Sequence, residues 1–296
     1  MKALVIGAAG QVGGALIQAL HDRGHQAIGV DRVALCCSIL QLDASNALRM
    51  HALLKETMPD WVFYPAGFSW VDGCERDPLS SFNSNVKWPL GIATVVGQLG
   101  AGFTYYSSEY IFDGRHGPYA EEAEPNPLNI YGRHKLEAEQ KLPRVGRTLL
   151  VRTTVVYGQE IQRKNFVYQV LDRLSRNETM LVPNDQISSP TYNVDLAQAC
   201  VECAERGILG TLNLAGPDRI DRYAFALRIC ETFDLEPALL LPTSTSVLGQ
   251  TAMRPLNAGL DSSKACQLLQ TRLRGVWKGL EDMKDTLAHR SLDNAA

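Results

Sequence analysis

The chain has 296 residues, with 29 Lys and Arg against 32 Asp and Glu, a formal net charge of −3, and 45% hydrophobic residues. This length and composition suit one large α/β domain, or such a domain with a smaller lobe, and allow a sizeable core. The nearly balanced charge shows no basic stripe, which argues against a nucleic acid polymer as a partner. No apolar run approaches the roughly 20 residues that a membrane helix needs, so we expect no membrane association.

The seven cysteines are odd in number and widely scattered. With no signal-peptide pattern, they predict a cytoplasmic protein with reduced thiols. Cys200 and Cys203 form a C-x-x-C within a helical pattern, and Cys36 and Cys37 are adjacent. We interpret both pairs as small buried side chains, because a zinc site would need a second pair and a redox motif would begin a helix. No cluster of carboxylates or histidines predicts another metal site.

Strand and helix patterns alternate through the first half of the chain. A helix is expected from about Gln11, and strands are expected at residues 2–6, 26–30, 39–42, 61–64, 103–107 and 148–157. Short apolar strands separated by helices predict parallel strands joined by crossover helices. The expected fold is α/β, a Rossmann-type doubly wound parallel sheet with its ligand at the carboxyl ends of the strands.

After about Gly158 the pattern loosens. Helices are expected at residues 165–174, 194–204 and 223–233, strands at TMLVP and GTLNLAG, and proline-containing loops after them. We therefore predict a first domain over residues 1–158. Residues 159–296 would form mainly a smaller substrate-binding lobe, interleaved with the end of the first domain.

A glycine motif, G-x-x-G-x-x-G, joins the first strand to the first helix. Its glycines are Gly7, Gly10 and Gly13, with Gln11 and Val12 between the last two. Glycine lets the backbone approach a pyrophosphate, and the free N–H groups at the helix start attract the anion. This context predicts a dinucleotide site with the first domain as its NAD(P)-binding Rossmann domain.

Asp31 ends the second strand, where an acid can accept hydrogen bonds from both adenosine ribose hydroxyls and so favours NAD. Arg32 follows it and would instead suit the 2′-phosphate of NADP. The coenzyme is therefore NAD or NADP, with NAD favoured. Asp43, after the third strand, is a further candidate that would cap the adenine pocket.

A Y-x-x-x-K pair, Tyr131 and Lys135, lies on one helix face because its members are four residues apart. A neighbouring ammonium is expected to lower the pKa of the tyrosine, which can then act as an acid–base group. Ser107 and Ser108 end the fifth strand at the ligand edge and can supply a hydroxyl that polarises a carbonyl. His134 should point to solvent, on another face of the helix.

These residues resemble the extended short-chain dehydrogenase/reductases, and most closely their dTDP-4-dehydrorhamnose reductase branch. Six blocks carry the resemblance nearly end to end: GAAGQVG, SSEYIFDG, NPLNIYGRHK, RTTVVYG, DQISSPTY and RPLNAGLDSSK. By resemblance, Ser108 is the catalytic hydroxyl, Tyr131 the proton donor and Lys135 its partner. Ala66 and Gly67 are then expected to pass beside the nicotinamide ribose. Asn85 resembles the family's structural asparagine on the following helix and, like Ser107, is expected among the coenzyme-binding residues. The resemblance also implies these substrate-binding positions: Val71, Glu109, Val155, Asn165, Asp185, Gln186, Thr191 and Arg254.

Two departures from the branch bear on the substrate. Glu109 replaces an aspartate, and Val155 stands where the branch has a tryptophan that packs on the sugar. The segment DGCERDP resembles less specialised members, among them the regulatory β subunit of methionine adenosyltransferase. The Asp-Glu pair of the related 4,6-dehydratases is missing after Ser108, which argues against dehydration.

The leading hypothesis is the NAD(P)H-dependent reduction of a 4-keto sugar nucleotide. Two alternatives stay open: an NAD-dependent sugar-nucleotide 4-epimerase, and a non-catalytic nucleotide-binding regulatory subunit like the methionine adenosyltransferase β subunit. A homodimer is one assembly that the resemblance allows.

Overall fold

A computed structural model describes residues 1–35 and 38–293, with side chains up to residue 288. The adjacent pair Cys36 and Cys37 lies outside the described residues. The strands are β1 Lys2–Ile6, β2 Gln26–Asp31, β3 Ile39–Gln41, β4 Trp61–Tyr64, β5 Gly102–Ser108, β6 Arg147–Thr153, β7 Val156–Tyr157, β8 Met180–Pro183, β9 Ile187–Ser188, β10 Thr191–Tyr192, β11 Gly210–Asn213, β12 Ile220–Asp221 and β13 Leu240–Thr243.

Helices cover both faces of the main sheet. They are α1 Gln11–Asp22, α2 Ala47–Thr57, α3 Val71–Arg76, α4 Pro78–Phe82, α5 Trp88–Gln98, α6 Ile130–Lys141, α7 Phe166–Leu174, α8 Asn193–Glu205, α9 Arg222–Phe233, α10 Ser263–Leu268 and α11 Val276–Asp293. A π-helical turn, Asn83–Lys87, joins α4 to α5. Among the described helices, none is both long and apolar enough to cross a membrane.

The main sheet has seven parallel strands in the order β11-β6-β5-β4-β1-β2-β3. Alternate residues of β1 enter two different cores: Ala3 and Val5 pack with α1 and α8, whereas Leu4 and Ile6 pack with α2 and α5. A strand that is covered on both faces is expected to be apolar along its length, as β1 is from Ala3 to Ile6. The predicted α/β, Rossmann-type doubly wound sheet is confirmed.

A third core lies in the second half of the chain. It joins α7, α9 and α11 with β8 and β13 through buried side chains such as Tyr168, Phe225 and Leu280. The same half also supplies β11, which pairs with β6 at the edge of the main sheet. The division into residues 1–158 and 159–296 stays a prediction.

The strand predicted over residues 148–157 is wrong in its second part. β6 ends at Thr153, and Val155 has φ 40°, a left-handed conformation that breaks the extended backbone. The chain then leaves the main sheet, and β7 pairs with β10 in a separate two-stranded sheet. The break brings residues 154 and 155 to the edge of the main sheet, directly after its carboxyl ends.

Cys200 and Cys203 are free and fully buried in the core between α8 and the sheet. Burial raises the pKa of both thiols, that of Cys203 to about 12, so neither is a thiolate at neutral pH. The interpretation of this pair as buried side chains is confirmed.

Candidate active site

The glycine loop between β1 and α1 is packed too closely for side chains at two positions. Gly7 has φ 99°, and a Cβ there would lie 2.6 Å from the backbone nitrogen of Ala66. A Cβ at Gly13 would lie 2.0 Å from the carbonyl oxygen of Gly7. Gly10 is the N-cap of α1, and no described side chain caps this helix. The N–H groups of its first turn, which includes Gln11 and Val12, are thus available to an anion.

The carboxylate of Asp31 is fixed at the end of β2. It accepts hydrogen bonds from the backbone N–H groups of Ala9, at 3.0 Å, and Val33, at 3.1 Å. The acid therefore lies beside the glycine loop, in the place expected of a ribose ligand. Arg32 is exposed next to it, and Asp43 is exposed after β3. Hydrogen bonds from Ser45 lower the pKa of Asp43, so this carboxylate also stabilises a turn.

Ser108, Tyr131 and Lys135 meet at the carboxyl end of β5. Their exposed fractions are 7%, 8% and 5%. Helix α6 begins at Ile130 because Asn129 caps it, accepting the N–H of Gly132 at 2.8 Å. The Lys135 Nζ atom donates to the carbonyl of Tyr106 at 2.8 Å and lies 5.6 Å from the centroid of the Tyr131 ring.

The electrostatics of this site correct one expectation. Burial raises the pKa of Tyr131 above its ordinary value, and the hydrogen-bonding hydroxyl of Ser108 acts in the opposite direction. Burial also lowers the pKa of Lys135, to about 7. The expectation of a lowered Tyr131 pKa is wrong for the protein alone, because desolvation of the phenol outweighs any effect of the ammonium, and burial weakens the ammonium as well. The phenol is therefore protonated and able to donate.

Ala66, Gly67 and Asn85 gather beside Lys135. A Cβ at Gly67 would lie 2.9 Å from Asn85 Oδ1 and 3.6 Å from Lys135 Nζ. Asn85 lies in the π-helical turn and donates from Nδ2 to the carbonyl of Phe68 at 3.0 Å. Its Oδ1 and the hydroxyl of Ser107 are buried without a hydrogen-bond partner among the described residues. Such orphaned atoms fit a site that receives the hydroxyls of a coenzyme.

His134 does not point to solvent. Its Nδ1 lies 2.8 Å from the Ser81 hydroxyl, and the Phe82 and His134 rings pack in a T-shaped arrangement with 5.7 Å between centroids. Burial lowers the pKa of this half-buried histidine. The expectation was wrong because α4 covers a face of α6 that periodicity alone leaves open.

Four of the predicted substrate positions lie in the segments that follow β4, β5 and β6, or bond to one of these segments. Glu109 directly follows Ser108 and is 4% exposed, and burial raises the pKa of its carboxyl to about 8. Val71 begins α3 and is followed by Asp72, whose carboxylate bonds Arg254 at 3.1 Å. The fourth, Val155, is half-buried after the break in β6.

The side chains of the other four positions are engaged in hydrogen bonds within the protein. Asn165 caps α7, and the carboxylate of Asp185 accepts the N–H and the hydroxyl of Thr245. Gln186 donates to the same hydroxyl at 2.9 Å. Thr191 is fully buried and donates to the carbonyl of Ser189. Their role toward a substrate stays a prediction.

Sequence reasoning assigned no role to several residues at this site. The Tyr110 ring meets that of Tyr131 edge-on, with 5.7 Å between centroids. Asn193 donates to the carbonyl of Gln11 at 3.1 Å and thereby ties α8 to the glycine loop. Arg222, from the start of α9, interacts electrostatically with Tyr110. Only Tyr110 lies in a block that the sequence singled out.

Comparison with known proteins identifies the family. The family model described as RmlD substrate binding domain matches residues 1–289. The chain belongs to this family. The resemblance to extended short-chain dehydrogenase/reductases of the dTDP-4-dehydrorhamnose reductase branch is thus confirmed.

Three relatives of this RmlD-family chain carry informative names. A Haloferax volcanii protein named "Probable low-salt glycan biosynthesis reductase Agl14" is 30% identical over 89% of this chain and 90% of its own length. Methionine adenosyltransferase 2 subunit beta of Bos taurus is 30% identical over 89% of this chain and 81% of its own length. The dTDP-4-dehydrorhamnose reductase of Bacillus anthracis, solved in complex with NADP, is 26% identical, covers 97% of this chain and 100% of its own, and has a TM-score of 0.88.

Proposed function

We propose that this protein is an NAD(P)H-dependent reductase of a 4-keto sugar nucleotide. The observation that carries the proposal is the meeting of Ser108, Tyr131 and Lys135 at the carboxyl end of β5, next to the glycine loop. The family and the two reductases among the named relatives support the same reaction type.

The coenzyme would lie across the carboxyl ends of β1, β2 and β4. The uncapped start of α1 suits its pyrophosphate, and Asp31 suits the adenosine ribose hydroxyls. Ala66, Gly67, Asn85 and Ser107 would border the nicotinamide end. Because the carboxylate of Asp31 would repel a 2′-phosphate, we propose that NADH is preferred, although the Bacillus anthracis relative is solved with NADP.

Tyr131, Ser108 and Lys135 would each have a separate role in the reduction of a ketone. When bound, NAD(P)H supplies the hydride. Tyr131 is protonated and donates its proton to the oxygen that gains charge, and the Ser108 hydroxyl hydrogen-bonds the same oxygen. Lys135, held by the carbonyl of Tyr106, lies close enough to stabilise the phenolate that remains.

The test is turnover of a panel of 4-keto-6-deoxy sugar nucleotides, followed by the loss of reduced-nicotinamide absorbance with NADH and then NADPH. We expect Tyr131→Phe to lower kcat by about 10²–10⁴-fold while coenzyme affinity is retained. Tyr119→Phe is a matched control, because this phenol bonds Asp113 away from the catalytic serine. Full activity in Tyr131→Phe would refute the mechanism. NAD that stays bound through purification, with turnover of an alcohol in place of the ketone, would favour the epimerase.

A regulatory subunit is a second candidate, supported by the identity to methionine adenosyltransferase 2 subunit beta. In that case the protein would bind a dinucleotide and assemble with a methionine adenosyltransferase. Size-exclusion chromatography of a mixture of the two proteins tests it. A stoichiometric complex without turnover of any sugar nucleotide would favour this candidate over the reductase.

A further inference from the structure

Arg222 carries a positive charge that no neighbouring side chain in the described part of the chain neutralises. It is half-buried at the start of α9, and its backbone N–H donates to the carbonyl of Gln186 at 3.1 Å. Its guanidinium carbon lies 4.7 Å from the centroid of the Phe166 ring. Among the described residues, it has no ion pair within 4 Å and no side-chain hydrogen bond. A desolvated cation without a partner is costly, and strongly perturbed charged groups cluster at functional sites.

The groups around Arg222 do not supply the missing negative charge. Its electrostatic neighbours are Tyr110, Glu109 and Arg254. Burial raises the pKa of Glu109 to about 8, so this carboxyl is mostly protonated at pH 7, and its Oε2 has no hydrogen-bond partner among the described residues. Arg254 already pairs with Asp72, at 3.1 Å. The cluster of two guanidinium groups and one ionised carboxylate therefore keeps one surplus positive charge.

This cluster adjoins the catalytic residues. Glu109 follows Ser108 in the chain, and Tyr110 packs edge-on against Tyr131 with 5.7 Å between ring centroids. Tyr110 interacts electrostatically with both Arg254 and Arg222. A sugar whose carbonyl reaches Ser108 and Tyr131 would thus bring its other substituents toward Arg222.

We propose that Arg222, with Arg254 beside it, binds an oxyanion of the substrate: the diphosphate that links nucleoside and sugar, or a carboxylate on the sugar. The inference rests on the proposed sugar-nucleotide function and deepens it. A guanidinium matches the two oxygens of a phosphate or carboxylate. The guanidinium of Arg222 also packs over the Phe166 ring. A protonated Glu109 adds a donor that an ionised carboxylate would lack.

The test uses the full chain with Arg222→Met, which removes the charge and keeps the length of the side chain. Arg228→Met is the matched control, because Arg228 lies on the same helix, is exposed and pairs with Glu231. Calorimetry with saturating NAD would give Kd for four probes: UDP, dTDP, UDP-glucose and UDP-glucuronic acid. Arg222→Lys, which keeps the charge without the planar fork, serves if Arg222→Met does not fold.

We expect Arg222→Met to weaken binding by about 10-fold or more, the usual size of a charge-assisted hydrogen bond, and Arg228→Met to leave Kd unchanged. A loss for all four probes identifies the diphosphate, and a loss for UDP-glucuronic acid alone identifies a sugar carboxylate. Equal affinities in Arg222→Met and the wild type, or no binding of any probe by the wild type at millimolar concentration, would overturn the proposal. If probe binding depends on Arg222 but no ketone is turned over, the proposed reductase function is refuted and the proposed oxyanion site is supported.

Discussion

Replacing Gly13 and Gly14 by alanine, one at a time, measures how closely the nucleotide loop packs. Both glycines lie in the first turn of α1. A Cβ at Gly13 would lie 2.0 Å from the carbonyl oxygen of Gly7 and 2.7 Å from the Cα of Ala8. A Cβ at Gly14 would have its nearest contact at 3.8 Å, with the carbonyl oxygen of Ala8. Only the first substitution forces the backbone to move.

The two variants should change stability in opposite directions. Alanine in place of glycine stabilises a helix interior by about 1 kcal/mol, and Gly14 is exposed, so nothing opposes this gain. Overpacking costs about 1–3 kcal/mol, with the larger values expected where backbone must shift. We therefore expect Gly14→Ala to raise the free energy of unfolding by about 1 kcal/mol and Gly13→Ala to lower it by about 2 kcal/mol.

Thermal unfolding followed by circular dichroism provides the assay. At about 2–4 °C per kcal/mol for a chain of this size, the two melting temperatures should differ by roughly 6–12 °C. NADH affinity should fall only in Gly13→Ala, because the first turn of α1 must move away from β1. If Gly13→Ala melts at or above Gly14→Ala, the close approach of α1 to Gly7 is refuted.

Three further predictions concern buried charges and the coenzyme. Glu139→Ala should lower the free energy of unfolding by about 3–5 kcal/mol, because it leaves the buried guanidinium of Arg152 without its carboxylate. Asp172→Ala, which breaks the surface pair with Arg163, should lower it by less than about 1 kcal/mol in the same denaturation experiment. Glu109 has a folded pKa of about 8, above its unfolded value, so its stabilising contribution is complete below pH about 4.5 and is lost as pH rises through about 8. The melting temperature of the wild type should therefore fall relative to that of Glu109→Gln between pH 6 and 9. If the two melting temperatures change in parallel with pH, the burial of this carboxyl is contradicted. Asp31→Ala should lower the ratio of kcat/KM for NADH to that for NADPH by about 10-fold, and an unchanged ratio would remove Asp31 from coenzyme selection.

The sequence by itself determined the parts of the protein that depend on local spacing. The glycine loop opens α1, Asp31 ends β2, and Tyr131 and Lys135 share one face of α6 because four residues are about one helical turn. The parallel sheet also followed from the sequence, since strands that alternate with helices have few ways to pair. Periodicity and motif order are properties of neighbouring residues, so they can be read without coordinates.

Only the tertiary structure decided which distant side chains meet. It divided the predicted sixth strand at Val155 and covered His134 with α4. It placed Asp185 where its carboxylate accepts a hydrogen bond from Thr245, and it placed Arg222 of α9 where it interacts electrostatically with Glu109 beside β5. These contacts join residues far apart in the chain. They form because helices and strands pack together so that apolar surface is buried and buried polar groups are hydrogen-bonded. A local sequence pattern does not specify how distant elements pack, so the surplus charge at Arg222 can be seen only in the folded protein.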